Sequence, residues 1–421
     1  MKVLILSQYF WPESFRISEV AQSLCIEGCE VSVLTGQPNY PEGKVFGGYK
    51  AWSIGRQVFA QCPVHRVPLF PRGGGGALRM VANYLSFVVS GSLIGPCLLR
   101  GQRFDVIFVY GISPILQVLP GFVLRHTTGA ALVPWVQDLW PQSLEVTGFV
   151  RNPRLLGMVA GLVRWIYRRS DLLLVQSPGF VPLVAAMADG TPVEYHPNPG
   201  ELAFQNPIEG PPALTLMPGF NVVFAGNLGT VQALDTLLAA AQHLSDLPSV
   251  RIVLVGSGSR SEWVQQRVRE LGLKNVQMPG RFAPEDMPGI LAQASALLVS
   301  LVRSPIMSQT VPSKIQAYLA AGKPIIASLD GEGARVVQEA GAGLGCAAED
   351  ADALAGAVRA LHAMAPDQLQ RMGTAGRDYY EQNFEPGALA RRLKLRFEQL
   401  VAGRRPMGRN KNAKEVNSPH G

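Results

Sequence analysis

The run Thr310-Val311-Pro312-Ser313-Lys314 opens a helical pattern that continues through Tyr318 and closes at Ala321-Gly322-Lys323-Pro324. A helix start leaves its first N–H groups without partners, and Ser313 and Lys314 add a hydroxyl and an ammonium to that turn. A cation there is unfavourable by itself, because the N-terminal end of a helix already carries partial positive charge. A bound anion would explain it; a solvated lysine is the plainer alternative. Two glycine turns point the same way. Phe224-Ala225-Gly226-Asn227-Leu228-Gly229 passes from a strand into a helix, and Gly256-Ser257-Gly258-Ser259-Arg260 follows the next strand. Backbone N–H groups of such turns suit phosphate, with Arg260 adding a charge. Tight strand–helix connections also use glycine routinely, so each turn alone is weak.

The first half of the chain offers carboxylates instead. The strand Val3–Leu6 runs into Gln8-Tyr9-Phe10-Trp11-Pro12-Glu13-Ser14-Phe15-Arg16 with no G-x-G-x-x-G after it, which argues against dinucleotide chemistry. Glu13 and Arg16 fall at a strand-to-helix turn facing the expected cleft. Alternatively, Glu13 merely favours the helix start and Arg16 is surface solvation. Gly36-Gln37-Pro38-Asn39-Tyr40-Pro41 is an exposed loop, where acceptor binding and simple turn chemistry fit equally. Val136-Gln137-Asp138-Leu139-Trp140-Pro141 ends another strand with a carboxylate and an indole. The plainer alternative is a helix N-cap by Asp138 with Trp140 in the core.

Short apolar strands alternating with amphipathic helices position these groups. Val3–Leu6, Val31–Leu34, Val106–Tyr110, Ala131–Val136 and Leu172–Val175 read as strands of a first parallel sheet. A proline-rich stretch, 196–219, reads as a linker. Beyond it, Asn221–Ala225, Arg251–Val255, Ala296–Ser300 and Pro324–Ala327 start a second series. Leu234, Leu237, Leu238 and Ala241 line one helix face between them, as do Val264, Val268 and Leu271. The expected fold class is α/β, with two doubly wound Rossmann-like domains facing a central cleft that holds the ligand at the strands' carboxyl ends. Residues 1–200 form the first domain and 201–385 the second. Residues 386–402 form a C-terminal helix, and 403–421 a disordered tail.

At 421 residues, with 47% apolar and 16% charged, the chain has material for two cores and is not a disordered composition. Its formal charge of +7 favours an anionic partner without choosing one. Scattered arginines and the lack of a recognition module argue against nucleic acid. Five cysteines with no C-x-x-C pair make a disulfide framework or a zinc site improbable and fit a reducing cytoplasm. The N-terminus lacks a signal-peptide pattern. Met80–Leu99 has no charged residue over about the length of a bilayer span, but Asn83, Ser86, Ser90, Gly91, Ser92, Gly95 and Pro96 dilute it. With Arg72, Arg79, Arg100 and Arg103 flanking, it reads as one or two buried or interfacial helices rather than a span.

Taken together, Tyr9–Arg16, Pro38–Gly43, Asp138–Pro141, Gly226–Gln232, Gly280-Arg281 and Pro312–Pro324 resemble the motifs of the family-4 retaining glycosyltransferases, whose architecture is GT-B. The resemblance covers nearly all of residues 1–402. It is nearest to the subgroup that builds O-antigen and capsule repeat units, including N-acetyl-L-fucosaminyltransferases. It implies a UDP-sugar donor on the second domain and a polyprenyl-diphosphate-linked saccharide acceptor on the first. It also implies a peripheral place at the inner face of the cytoplasmic membrane, and a C-terminal helix, 386–402, that packs back on the first domain. No organic cofactor is implied, and with no D-x-D pattern at a strand end no metal is expected. The chain departs from the family at the donor. The family's Arg and Lys that grip the diphosphate map to Asn227 and Gln232, its paired glutamates to Gln309 and Ala317, and a histidine to Gln137. Lys314, Arg260 and Arg281, with Arg16 in reserve, are left for the diphosphate, beside Gly226, Gly229 and Ser313. Asp138 is the candidate catalytic group and Glu13 the second. Arg16, Asn39, Tyr40 and Trp140 are assigned to the acceptor. A UDP-sugar epimerase on the same fold, or a non-catalytic scaffold of a polysaccharide assembly complex, are the rival readings.

Overall fold

The computed structural model describes residues 1–74, 76–146, 152–205 and 210–404. Two sheets organise the molecule. The first contains β1 (Lys2–Leu6), β2 (Glu30–Thr35), β3 (Gly55–Phe59), β4 (Cys62–Arg66), β5 (Val106–Gly111), β6 (Ala131–Val136), β7 (Leu173–Val175) and β8 (Val193–Tyr195). They lie in the order β3-β4-β2-β1-β5-β6-β7-β8. The second contains β9 (Phe220–Ala225), β10 (Val250–Val255), β11 (Val276–Gly280), β12 (Ala296–Ser300), β13 (Ile325–Ser328) and β14 (Gly343–Cys346), ordered β11-β10-β9-β12-β13-β14. Every strand pair is parallel except β3 with β4.

Helices cover both faces of each sheet, so the central strands must be apolar throughout; β5 and β6 are buried at every residue. Two apolar clusters per sheet, one on each face, result. Chain order reverses between β1 and β5 in the first sheet and between β9 and β12 in the second. Such switch points open a crevice at the strands' carboxyl ends.

The strands absent from the sequence reading are β3, β4, β8, β11 and β14. Four of them are sheet edges, where a full apolar run is not required. β11 contains Pro279 and β14 is half glycine, both tolerated at an edge. The β3–β4 hairpin turns at Ala60 and Gln61, both with positive φ (45° and 70°), a conformation that sequence usually signals with Asn or Gly.

The apolar stretch Met80–Leu99 is divided between the helices Ala77–Leu93 and Gly95–Leu98. Among the described residues no helix is long and apolar enough to cross a membrane. The last helix, Pro386–Arg404, leaves the second domain and packs on the first. Its Leu393 and Phe397 join the cluster around Val3 and Phe108, the Phe397 and Phe108 rings lie 5.4 Å apart, and Lys394 Nζ donates to the Glu27 carbonyl at 2.7 Å. Gly403 and Arg404, placed in a tail by the sequence reading, belong to this helix; 405–421 lie outside the described residues. Where the chain first leaves the first domain, the Gly200 N–H donates to the carbonyl of Phe384, on its way back, at 2.9 Å.

Candidate active site

In the second domain the ends of β9, β10 and β12 and the start of the helix Ser313–Ala321 enclose a cavity of about 730 Å³. Gly226, Asn227, Gln232, Arg281, Ser313 and Lys314 are among its lining residues. Two glycines make the close packing possible. Gly226 has φ 125°, and a Cβ there would meet Lys314 Cε at 2.8 Å; Gly256 has φ 141°, and a Cβ there would lie 1.9 Å from the Gly226 carbonyl oxygen. A side chain would displace Lys314 at the first place and backbone at the second, and the positive φ strains any other residue at both. Gly229 is fixed differently: its N–H donates to Gln232 Oε1 at 3.0 Å, so the Gln232 side chain closes the turn.

Lys314 Nζ is shut off from solvent 3.5 Å from the centroid of the Phe224 ring, and among the described residues it has no hydrogen-bond partner. Desolvation pulls its pKa down to about 7. An ammonium in that position has an uncompensated cost that an anion would remove. The cavity's other cation, Arg281, is exposed at the rim.

Across the cleft, four loops at the ends of β1, β2, β5 and β6 meet, and each contains a cis X–Pro bond: Trp11-Pro12, Tyr40-Pro41, Ser113-Pro114 and Trp140-Pro141. Glu13 ties two of these loops together. Its Oε1 accepts from the N–H groups of Asn39 (2.7 Å) and Tyr40 (2.8 Å), and its Oε2 from Phe10 N–H at 3.2 Å. Burial at 3% exposure pushes its pKa up to about 7, against the pull of those N–H groups. Asp138 ties the other two. One oxygen accepts from the Ser113 N–H (2.9 Å) and hydroxyl (2.8 Å), and Trp140 Nε1 donates to that hydroxyl at 3.2 Å. Desolvation raises the Asp138 pKa, and the Ser113 bonds oppose it. Asp138 is therefore not acting as a helix cap, while Trp140 does sit in the core. Asn39 Oδ1 accepts from Arg72 N–H at 3.1 Å, and the Arg72 guanidinium stands 5.1 Å from the centroid of the Tyr40 ring.

Not every residue expected here comes together. Arg260 faces away from the cavity, paired with Asp235 at 2.8 Å and lying 3.6 Å from the centroid of the Trp263 ring. Both ends of the Arg16 guanidinium are taken, by Glu19 at 3.0 Å and by Glu201, on the linker, at 2.8 Å. Ala317 lines the cavity, whereas Gln309 contacts the first domain through its carbonyl, which accepts from Ser177 Oγ at 2.6 Å. The Gln137 side chain accepts from Asn198 at 2.8 Å. Ser113 and Arg72 were not singled out from sequence as site residues. The Ser113-Pro114 turn directly after β5 was the available signal for the first. Among the described residues no three His, Cys, Asp or Glu side chains are grouped as a metal site requires, and all five cysteines are free thiols.

The sequence and the fold both have counterparts among known proteins. A family model described as a glycosyl transferase 4-like domain matches residues 14–199, and one described as glycosyl transferases group 1 matches residues 219–364. The chain is a GT-B glycosyltransferase. Among curated relatives, this glycosyltransferase is 27% identical over 340 residues to WcaI of Escherichia coli K12, assigned by name to colanic acid biosynthesis as a glycosyl transferase; the match covers 76% of this chain and 82% of that one. Among solved structures, a sucrose-phosphate synthase from Thermosynechococcus elongatus superposes with a TM-score of 0.69 at 17% identity, over 96% of this chain and 99% of that one. Anabaena Alr3699/HepE in complex with UDP superposes at 0.66 and 14% identity, over 95% of this chain and 100% of that one. At those identities the structures speak to the fold of the glycosyltransferase, two facing Rossmann-like domains.

Proposed function

We propose that this glycosyltransferase moves a sugar from a UDP-linked donor to a polyprenyl-diphosphate-linked saccharide during assembly of a surface polysaccharide. The observation that carries the proposal is the unpartnered Lys314 ammonium in a cavity rimmed by glycine turns. A nucleotide diphosphate supplies the missing charge; most N–H groups of the Gly226–Gly229 and Gly256–Gly258 turns are already bonded within the protein, and among the described residues those of Asn227 and Ser257 are left as further donors. The names of the relatives support this reading: WcaI is tied to colanic acid, and HepE has been crystallised with UDP and with UDP-glucose.

Residues 201–385 would then bind the donor and residues 1–200 the acceptor, with the exposed Tyr40 ring beside the incoming sugar and the buried Asn39 and Trp140 holding the loops that present it. The sugar–diphosphate bond breaks through an oxocarbenium-like state while negative charge collects on the departing UDP. Lys314 and Arg281 neutralise that charge, and Lys314 is already desolvated and in place. Asp138, held by Ser113, orients the acceptor hydroxyl or stabilises positive charge at the anomeric carbon. Glu13, enclosed by three backbone donors, shapes the loop that presents Asn39 and Tyr40 and makes no contact of its own with the reacting atoms. Retention of configuration, independence of metal, a place at the inner face of the cytoplasmic membrane and an N-acetylated deoxyhexose such as N-acetyl-L-fucosamine complete the proposal. They come from the family-4 resemblance.

The test is incubation of the protein with a panel of UDP-sugars and a lipid-linked saccharide, followed by mass spectrometry of the lipid product. A mass gain of one sugar, with UDP released only when acceptor is present, is the expected result. UDP-sugar isomerised without acceptor would establish the epimerase, and donor binding with no product would establish the scaffold.

A further inference from the structure

The helix Ala77–Leu93 carries its apolar residues on two faces. Inward, Asn83, Phe87, Ser90 and Gly91 are buried. Outward, Leu78, Val81, Leu85, Val89 and Leu93 follow one another at spacings of three and four, so they form one line along the solvent side. They are far from marginal: Leu78 is 87% exposed and Leu93 70%. A second helix of the same layer, Pro153–Arg169, adds exposed Leu155, Met158 and Trp165. Phe87 of the first helix and Val163 and Ile166 of the second belong to one core cluster, so both helices cover the same face of the first sheet.

The charge of this region is equally uneven. Between Gly43 and Ser170 there are fourteen Lys and Arg and three Asp and Glu, a net +11, whereas the whole chain is +7. From Gly43 to Phe104 there is no carboxylate side chain. Arg72 precedes the apolar line, Arg79 stands next to its first residue, Leu78, and Arg100 and Arg103 follow it. Among the described residues, none of these four is in an ion pair, although seventeen such pairs occur elsewhere.

We propose that this outer helical face docks the protein on an anionic lipid bilayer, with the helix Ala77–Leu93 lying in the interface. The occupant follows from the two patterns together. An apolar line with unpaired cations at both ends matches acyl chains bordered by phosphate headgroups. A second copy would set the same unpaired arginines, Arg72, Arg79, Arg100 and Arg103, against one another, and nucleic acid would leave the apolar line exposed. The helix's first turn adjoins Arg72, which stacks on Tyr40 in the expected acceptor loop. Docking therefore brings that loop to the membrane plane, where a lipid-linked acceptor would be found. This last step rests on the proposed function; the docking does not.

Sedimentation of the full chain with vesicles tests it, comparing phosphatidylcholine alone with phosphatidylcholine containing phosphatidylglycerol. Wild type should bind the anionic vesicles at least about tenfold more tightly, and added salt should weaken that binding. Leu85→Glu combined with Val89→Glu should lower it by about tenfold or more, since both side chains are exposed and neither supports the core. Arg79→Glu with Arg100→Glu should abolish the preference for anionic lipid. UDP affinity by calorimetry should be unchanged in both variants, which separates lost docking from lost folding. Equal binding to the two vesicle types, or variants that bind as wild type does, would overturn the proposal. So would a concentration-dependent dimer that Leu85→Glu dissolves, because the face would then be an interface between copies. Vesicle binding without UDP binding would leave the docking standing and remove the donor reading instead.

Discussion

The two sides of the cleft handle buried charge in opposite ways. On the first domain, Glu13 gives both oxygens to backbone N–H groups of two loops, and Asp138 is held by both donors of Ser113. On the second, Lys314 is buried over Phe224 with no partner among the described residues. A satisfied carboxylate keeps its loops in shape whether or not a ligand is present. An unsatisfied ammonium carries a cost that a bound anion, or loss of the proton, relieves. The first-domain side should therefore be rigid and the second-domain side ready to take up an anion.

The largest effect expected from this contrast is at Lys314. Lys314→Ala should lower turnover by about 10²–10³, as loss of one fixed charge at a departing group does. The same variant should melt no lower than wild type without ligand and lose most of the stabilisation that UDP confers, both read by thermal shift. An unchanged UDP affinity would break the contrast. Asp138→Asn should follow, with turnover down about a hundredfold for loss of the charge that orients the acceptor or faces the anomeric carbon, and UDP affinity intact by calorimetry. Glu13→Gln should do the reverse. Its amide nitrogen would face an N–H donor, costing about 1.5–3 kcal/mol in urea unfolding, with little change in UDP binding.

Acidity supplies a finer test, because the two buried groups carry opposite signs. Glu13 is raised to about 7, so its contribution to stability is full at low pH and disappears as pH climbs through 7. Lys314 is lowered to about 7, so its contribution is present at alkaline pH and is lost as pH falls from the ordinary lysine range through 7. UDP needs the protonated amine. Its affinity should fall by about tenfold per pH unit above 7, until the pKa of the liganded lysine is reached, and Lys314→Ala should flatten that slope.

How much of this the sequence disclosed depended on location. Strands enclosed on both sides, such as β1, β5 and β6 or β9 and β12, are apolar over nearly their whole length and were legible. Edge strands such as β8 and β14, and the hairpin turning at Ala60 and Gln61, obey weaker rules and were not. The site shows the same division. That Glu13, Asp138, Gly226 and Lys314 stand at strand ends and helix starts could be read from their neighbours. What each one touches could not, since Glu13 finds its donors 26 and 27 residues away and Asp138 finds Ser113 25 residues back. Arg260 shows the converse. Its place after a glycine turn suggested phosphate, but Asp235 and Trp263 hold it elsewhere.

The chain passes between the lobes twice, and the two passages are bonded to each other where the Gly200 N–H meets the Phe384 carbonyl. Paired links side by side resist sliding and twisting while leaving a swing about the line through them, like a door on two pins. Opening and shutting is thus the softest motion available to these lobes. Shutting would carry Asp138 and Lys314 toward one another and expel the water between them.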